Sequence, residues 1–285
     1  VARASRTLAI DLGSSSVKIG EFQFDSNQGL TLLNYGVQDM GLDPNKSEEK
    51  LPFYLDAIKN LLAQTGIRPA PVVLGISGQS VFTRFVKLPP VAPEQLQQTI
   101  ANEAQLNVPF QIDEVIWDYQ LLGSAGSVEI EGIIVAIKAE LVEESNAILA
   151  SLKLPVQMVD VAPLALINSF LYNYGTPTDP TLIVDIGAKT TNLIFIDGRR
   201  VFNRAIPIAG NMISQNICNE FQEPFVAAEL LKKGKGFVGL GGAYADPDDA
   251  AAARISKIAR GVFSRLHSEV SRSISFYRNQ QGGNP

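Results

Sequence analysis

Two segments of the chain carry the same succession of apolar and polar positions. AIDLGSSSVKIGEF around residues 9–22 and IVDIGAKTTNLIFIDG around residues 183–198 each run as a short apolar strand, then Asp-x-Gly, then small hydroxyl residues, then a second alternating strand. The period of two predicts a β-hairpin in both places, and the repetition hints at a fold built by duplication. After the first hairpin come a third alternating segment, LTLLNYGVQDM, and a helix near Glu48–Thr65 with Leu51, Tyr54, Leu55, Ile58 and Leu62 at helical spacing. The buried strand PVVLGIS follows, which makes an α/β unit with a mixed sheet. VFTRFVKLPP then leaves that unit, and Pro89-Pro90 marks a boundary.

Residues 91–154 read as a compact module. Pro93 and Glu94 open a helix whose Leu96, Ile100, Ala104 and Val108 form one apolar face, and Pro109 stops it. The strands EVIWDYQLLG and VEIEGIIVAIK follow, joined by a Gly-Ser-Ala-Gly turn, and a second helix with Leu141, Ile148 and Leu152 on a face ends before Pro155. The chain returns through VQMVDVAP and a helix over Pro163–Tyr172 to the second hairpin. Beyond RVFNRAIPIAG, Gly210 caps a strand and Asn211 starts a helix; EPFVAAELLKKGKG then sets Glu229 and Lys232 three residues apart on one helix face. The last element is a long helix in which Ile255, Ile258, Val262, Leu266, Val270, Ile274 and Tyr277 keep a 3–4 spacing. QQGGNP after it points toward a further strand, and with Val1 in place of methionine we expect a trimmed or processed chain that lacks its last strands.

With 285 residues, 46% of them hydrophobic, the chain has material for about two domains, each with its own core. The net charge of −5 and a pI near 5.1 argue against a nucleic-acid surface. Cys218 is the single cysteine, which excludes an internal disulfide and a cysteine zinc cluster; its setting on one helix face reads as a buried structural thiol. The single histidine, His267, has no catalytic partner, and the single tryptophan, Trp117, reads as a core anchor. No apolar run approaches the roughly 20 residues that cross a bilayer and no signal peptide is evident, so a soluble cytoplasmic location is expected.

The chemistry lies in the hairpins. Glycine lets backbone approach a ligand closely, and successive N–H groups and hydroxyls form an anion trap. Asp11 and Asp185, each closing a first strand, are placed to hold a hydrated cation rather than the phosphate. Facing each other, two such hairpins would clamp a nucleoside polyphosphate and its Mg2+. The plainer alternative for either copy is a turn between strands, and for Glu229–Lys232 a solvated ion pair worth little.

The order D-L-G-S-S-S-V-K, V-D-V-A-P, D-I-G-A-K-T-T-N, A-E-L-L-K and S-I-S-F-Y-R-N-Q-Q resembles the PilM family, the actin-like cytoplasmic proteins of type IV pilus assembly. The stretch KLPPVAPEQLQQTIANEAQLNVPFQIDEVIWDYQLL, similar to that family's inserted subdomain, narrows the resemblance from the wider actin/Hsp70/hexokinase group. It implies an actin-like (ribonuclease H-like) duplicated two-domain α/β fold with an inserted α+β subdomain: residues 1–88 and 155–178 in the first domain, 89–154 in the insert, and 179–285 in an incomplete second domain. It implies ATP and Mg2+ as ligands. Asp11, Gly13, Ser14, Ser15 and Ser16 would form the first phosphate loop with Lys18 reaching a phosphate; Asp185, Gly187, Ala188, Thr190 and Thr191 would form the second. Ala228, Glu229 and Lys232 would contact the adenosine, with Gly210 turning beside the nucleotide. The Gly-Gly-Gly motif that follows the long helix in actin-like proteins is not reached before the given sequence stops, and Gly239–Gly242, ahead of that helix, reads as a loop that does not replace it.

Phosphoryl transfer also needs a group that orients or deprotonates the attacking atom. No residue is singled out for that by position; Gln79 and Gln98 have nothing to distinguish them. The expectation is therefore an ATP-binding scaffold with slow hydrolysis or none, peripheral to the inner membrane through a PilN-type protein whose short cytoplasmic tail docks between the first domain and the insert. An FtsA-like cell-division scaffold and a small-molecule kinase of the same superfold are the alternatives.

Overall fold

The computed structural model describes residues 5–25, 29–44, 46, 50–121, 130–198, 200–238 and 249–281. The Gly-Ser-Ala-Gly turn, Gly239–Gly242, the helix start at Glu48 and the final Gly-Gly-Asn-Pro lie outside them. The chain divides into two compact units, residues 1–40, 49–179 and 196–203 in one, and 41–48, 180–195 and 204–285 in the other.

In the first unit a five-stranded sheet has the order β3-β2-β1-β4-β8, with β1 Ser5–Leu12, β2 Ser16–Asp25, β3 Gly29–Asp39, β4 Val72–Ile76 and β8 Val156–Val161. Strands β1, β2 and β3 form an antiparallel meander, while β1, β4 and β8 run parallel. Alternation along β1 sends Leu8, Ile10 and Leu12 into the core with Val17, Ile19, Val72, Leu74 and Ile76. Helix α1 (Leu51–Thr65) supplies Ala57, Ile58 and Leu61 to the same cluster. Each of these Leu, Ile and Val side chains contributes roughly 1.5–3 kcal/mol on burial. The same alternation turns Asp11 to the opposite face of the sheet. At Gly36 of β3 the side chains of α1 leave no room for a larger residue: a Cβ there would stand 2.8 Å from Leu61 and 2.9 Å from Thr65.

A second sheet, in the order β5-β7-β6, is antiparallel throughout: β5 Val81–Leu88, β6 Val115–Leu121, β7 Ile130–Lys138. The segment VFTRFVKLPP, expected to leave the first unit as a strand ended by Pro89-Pro90, supplies β5 as an edge strand of this sheet, paired with β7 from Val81–Ile137 to Leu88–Ile130. Helix α2 (Pro93–Asn107) covers the sheet with Ile100 and Ala104, and Val108 follows at its end. Trp117 packs against this cluster, as a core anchor should. In α3 (Ala139–Ser151) the buried line is Val142, Ser145 and Leu149, while Leu141, Ile148 and Leu152 flank it, partly buried. Helix α4 spans Ala162–Tyr174.

In the second unit lies β9 (Thr181–Ile186), which opens a three-stranded sheet of order β11-β10-β9, with β10 Thr191–Asp197 and β11 Arg200–Ile206. Three helices follow, α5 Gly210–Phe221, α6 Phe225–Lys235 and α7 Ala250–Gln281. Ile255, Val262, Leu266 and Tyr277 of α7 are buried, and the Tyr277 ring stacks on Phe195 at 4.6 Å. Asp249 caps α7, its Oδ1 accepting the N–H of Ala251 at 2.9 Å. Its carboxyl is held below its ordinary range by Lys235 first, then by the Ala252 and Ala251 N–H groups. Cys218 is half-buried rather than sealed in; burial, followed by the negative charge of Asp43, pushes its thiol up, away from the reactive thiolate. His267 is exposed on α7.

Candidate functional site

The first Asp-x-Gly hairpin closes between β1 and β2. The Gly13 N–H donates to the Ser16 carbonyl at 3.1 Å, and a Cβ on Gly13 would sit 2.7 Å from that same oxygen, so the turn admits only glycine. Ser14, Ser15 and Ser16 line the turn, partly exposed, and the Ser15 carbonyl accepts the N–H of Met40 at 2.9 Å. Asp11, on the face away from the core, pairs through Oδ2 with Lys18 Nζ at 2.7 Å. Both side chains are 40–49% exposed, so the pair is worth about 0.2–1 kcal/mol and breaks easily. Lys18 thus rests on the carboxylate in this structure.

One brace of this loop was hidden from sequence reasoning. Tyr54 fits the apolar stripe of α1, yet its hydroxyl donates to the Gly13 carbonyl at 3.2 Å. Burial, and next the charge of Asp11, hold its phenol above the ordinary value of 10.0.

The second hairpin, between β9 and β10, repeats the first bond for bond. Gly187 N–H donates to the Thr190 carbonyl at 3.0 Å, and a Cβ on Gly187 would lie 2.8 Å from that oxygen. Asp185 Oδ2 accepts Nδ2 of Asn192 at 3.0 Å. Asn192 stands seven residues after Asp185, as Lys18 does after Asp11; that shared spacing is the signal that could have singled it out.

Thr191 needs correcting as a phosphate contact. Its side chain is fully buried, and its hydroxyl donates to the Ile208 carbonyl at 2.6 Å. Its Oγ1 proton is spent on a structural tie between β10 and the entry to α5. Thr190 and Ala188 remain on the turn itself, partly exposed.

Gly210, Glu229 and Lys232 gather beside this second turn. Helix α5 starts at Gly210, one residue before the expected Asn211; the Gly210 N–H donates to the Gly187 carbonyl at 3.1 Å and that of Asn211 to Ala188 at 2.7 Å. The Gly210 carbonyl accepts Lys232 Nζ at 3.2 Å. Lys232 also reaches Glu229 Oε2 at 2.7 Å and the buried Ser214 Oγ at 2.9 Å, while that hydroxyl donates to Glu229 at 2.5 Å. The pair is only 21–26% exposed and tied to two elements, so the solvated-pair alternative does not describe it. Ser214, fully buried at the centre of the network, carried no sequence signal.

The first loop and Lys18 therefore assemble within one unit, and the second loop with Gly210, Glu229 and Lys232 within the other. Among the described residues no group of three or more His, Cys, Asp or Glu side chains could hold a metal, so a cation at Asp11 or Asp185 would draw most ligands from water and phosphate. Nor is any described helix long and apolar enough to cross a membrane.

A family model described as type IV pilus assembly protein PilM matches residues 9–245. Among solved structures, one titled PilM-PilN type IV pilus biogenesis complex superposes with a TM-score of 0.79 at 24% identity, covering 96% of this chain and 78% of that one. The ethanolamine utilization protein EutJ from Carboxydothermus hydrogenoformans gives a TM-score of 0.50 at 14% identity, covering 95% and 72%. The fold is the actin-like α/β fold. With its family model covering most of its length, the chain belongs to the PilM family of type IV pilus assembly proteins.

Proposed function

We propose that the chain is the ATP-binding, actin-like component of a type IV pilus assembly platform, a scaffold whose nucleotide sets the arrangement of its two domains. The observation that carries this reading is the duplicated hairpin: two glycine-locked turns, each with a carboxylate on the strand before it and a polar side chain holding that carboxylate seven residues on. The donor set fits Mg2+ and phosphate. Carboxylate oxygens suit a hard divalent cation, and turn N–H groups with Ser14, Ser15, Ser16 and Thr190 suit phosphate oxygens. Asp11 in one unit and Asp185 in the other are each suited to hold a hydrated Mg2+, which would supply charge neutralisation to phosphates. Lys18 leaves Asp11 for a phosphate, and Glu229 with Lys232 receive the adenosine beside Gly210.

The partner is a PilN-type membrane protein, offered as a short cytoplasmic segment. Support comes from the relative solved as a PilM-PilN complex and from the module of 89–154, which exposes Leu106, Phe110, Ile116 and Leu121. The tail docks between the first domain and this module, and membrane association follows through the partner. Titration of a fluorescent ATP analogue with and without Mg2+ tests the ligand: micromolar binding that loses its Mg2+ dependence in Asp11→Ala and Asp185→Ala is expected, and unchanged titrations would remove the loops from the site. Capture of a PilN-type tail peptide by the wild type but not by Ile116→Asp tests the partner.

A further inference from the structure

A turn offers an anion only those backbone N–H groups that face outward, and a carbonyl pinned from behind decides which ones do. The amide is planar and trans, so a carbonyl and the N–H of the next residue point to opposite sides. No cis peptide bond occurs among the described residues. In the second hairpin the carbonyls of Gly187 and Ala188 accept the N–H groups of Gly210 and Asn211 at 3.1 and 2.7 Å. The N–H groups of Ala188 and Lys189 are therefore turned away from α5. Both pins are backbone groups at a helix start, and neither depends on a side chain.

The first hairpin is held by other means. Its Ser15 carbonyl accepts the Met40 N–H at 2.9 Å, but its Gly13 carbonyl accepts the Tyr54 hydroxyl at 3.2 Å. That second pin is a side chain, delivered by α1 from far along the chain. It turns the Ser14 N–H to the side opposite the tyrosine, and this N–H has no protein partner among the described residues. The Lys18 ammonium stands over the same turn, 3.3 Å from the point that a Cβ on Gly13 would take. An outward N–H beside an ammonium makes a place for an anion.

The packing of Tyr54 does not need its hydroxyl. The ring lies, partly buried, against the core cluster that holds Ala57, Ile58 and Leu61, where a phenylalanine would serve as well. Burial and the nearby Asp11 charge keep the phenol protonated, so it stays a donor throughout the neutral range. Among the described residues the Gly13 carbonyl is its one partner.

We propose that Tyr54 is the positioning residue of the first phosphate loop: by gripping the Gly13 carbonyl it aims the Ser14 N–H at a phosphate oxygen of the bound nucleotide. This rests on the nucleotide reading above and gives a role in it to a residue of α1 that lies outside both Asp-x-Gly motifs. Without the hydroxyl, the glycine leaves the Gly13–Ser14 peptide free to rotate, and a phosphate has to order it on binding. The loss falls on the phosphates alone, because Glu229 and Lys232, which receive the adenosine in that reading, belong to the other unit.

The test compares the whole chain with Tyr54→Phe, and with Tyr172→Phe as a control that removes a hydroxyl accepting the Leu30 N–H at 3.1 Å. Affinity for a fluorescent ATP analogue with Mg2+, and competition by adenosine, are measured well below each melting temperature. Tyr54→Phe is expected to weaken the analogue roughly three- to tenfold, the range of one neutral hydrogen bond, and adenosine by less than about twofold. Tyr172→Phe is expected to change neither. By NMR of isotope-labelled protein, pyrophosphate with Mg2+ is expected to move the Ser14 amide signal in the wild type and to move it less than half as far in Tyr54→Phe, while the Ala188 signal responds alike in both. Unchanged affinity for the analogue in Tyr54→Phe, or equal weakening of analogue and adenosine, overturns the inference and leaves the nucleotide reading standing. A Ser14 signal that bound pyrophosphate does not move in the wild type overturns it too, whether or not the variant folds. A wild type that binds neither analogue nor pyrophosphate fails the nucleotide reading, and this inference with it.

Discussion

Asn192 donates its side-chain N–H to Asp185 at 3.0 Å, in the place where Lys18 holds Asp11 at 2.7 Å. The two hairpins share glycine, turn bond and carboxylate, and differ in the charge of the residue that grips the carboxylate. One turn is neutralised internally. The other keeps its negative charge, and a divalent cation is drawn to it more strongly.

That difference can be exchanged. Lys18→Asn turns the first hairpin into a copy of the second, removing a cation that offsets Asp11 and that contacts phosphate in the proposed complex. Affinity for the nucleotide without Mg2+ should fall several-fold, while the gain in affinity on adding Mg2+ should grow. Isothermal titration in the presence and absence of Mg2+ reads both numbers.

Lys232 ties the second turn to α6. Lys232→Met leaves the Glu229 carboxylate and the Gly210 carbonyl without their shared cation in a site about one quarter exposed. A loss of about 1–3 kcal/mol is expected from stranded polar groups of this kind. Urea denaturation measures it, and the double variant Lys232→Met, Glu229→Gln should recover part of the loss by removing the stranded charge.

Tyr54 makes the first loop sensitive to alkali. Because burial and Asp11 raise its phenol above 10.0, the folded state holds its proton where the unfolded chain releases it. The stability linked to it is fully present below the unfolded value and lost as pH rises through the folded one. Tyr54→Phe should cost about 1 kcal/mol near neutral pH through the lost bond to Gly13, and should flatten the decline in melting temperature above pH 10.

The hairpins were legible because their code is local. Strand alternation, the Asp-x-Gly spacing and the hydroxyls are all read within a dozen residues, and so are the helical faces of α2 and α7. Tyr54 and Ser214 were not legible as site residues, since what matters about each is a partner 41 or 15 positions away, whereas Asn192 lies within the local window and is marked only by the spacing it shares with Lys18. Thr191 shows the reverse error: a hydroxyl in the right motif, whose proton goes to a carbonyl 17 residues on. The pairing of the edge strand β5 was not legible for the same cause, its partner β7 lying beyond a helix and another strand.

Gly210 is a joint of three pieces: its N–H is pinned by the turn at Gly187, its carbonyl by Lys232, and its own position begins a helix. A turn fastened this way has little slack. The second turn, the first residue of α5 and the inner face of α6 are thereby riveted into one block, so a substitution that loosens any one of the three unfastens the other two.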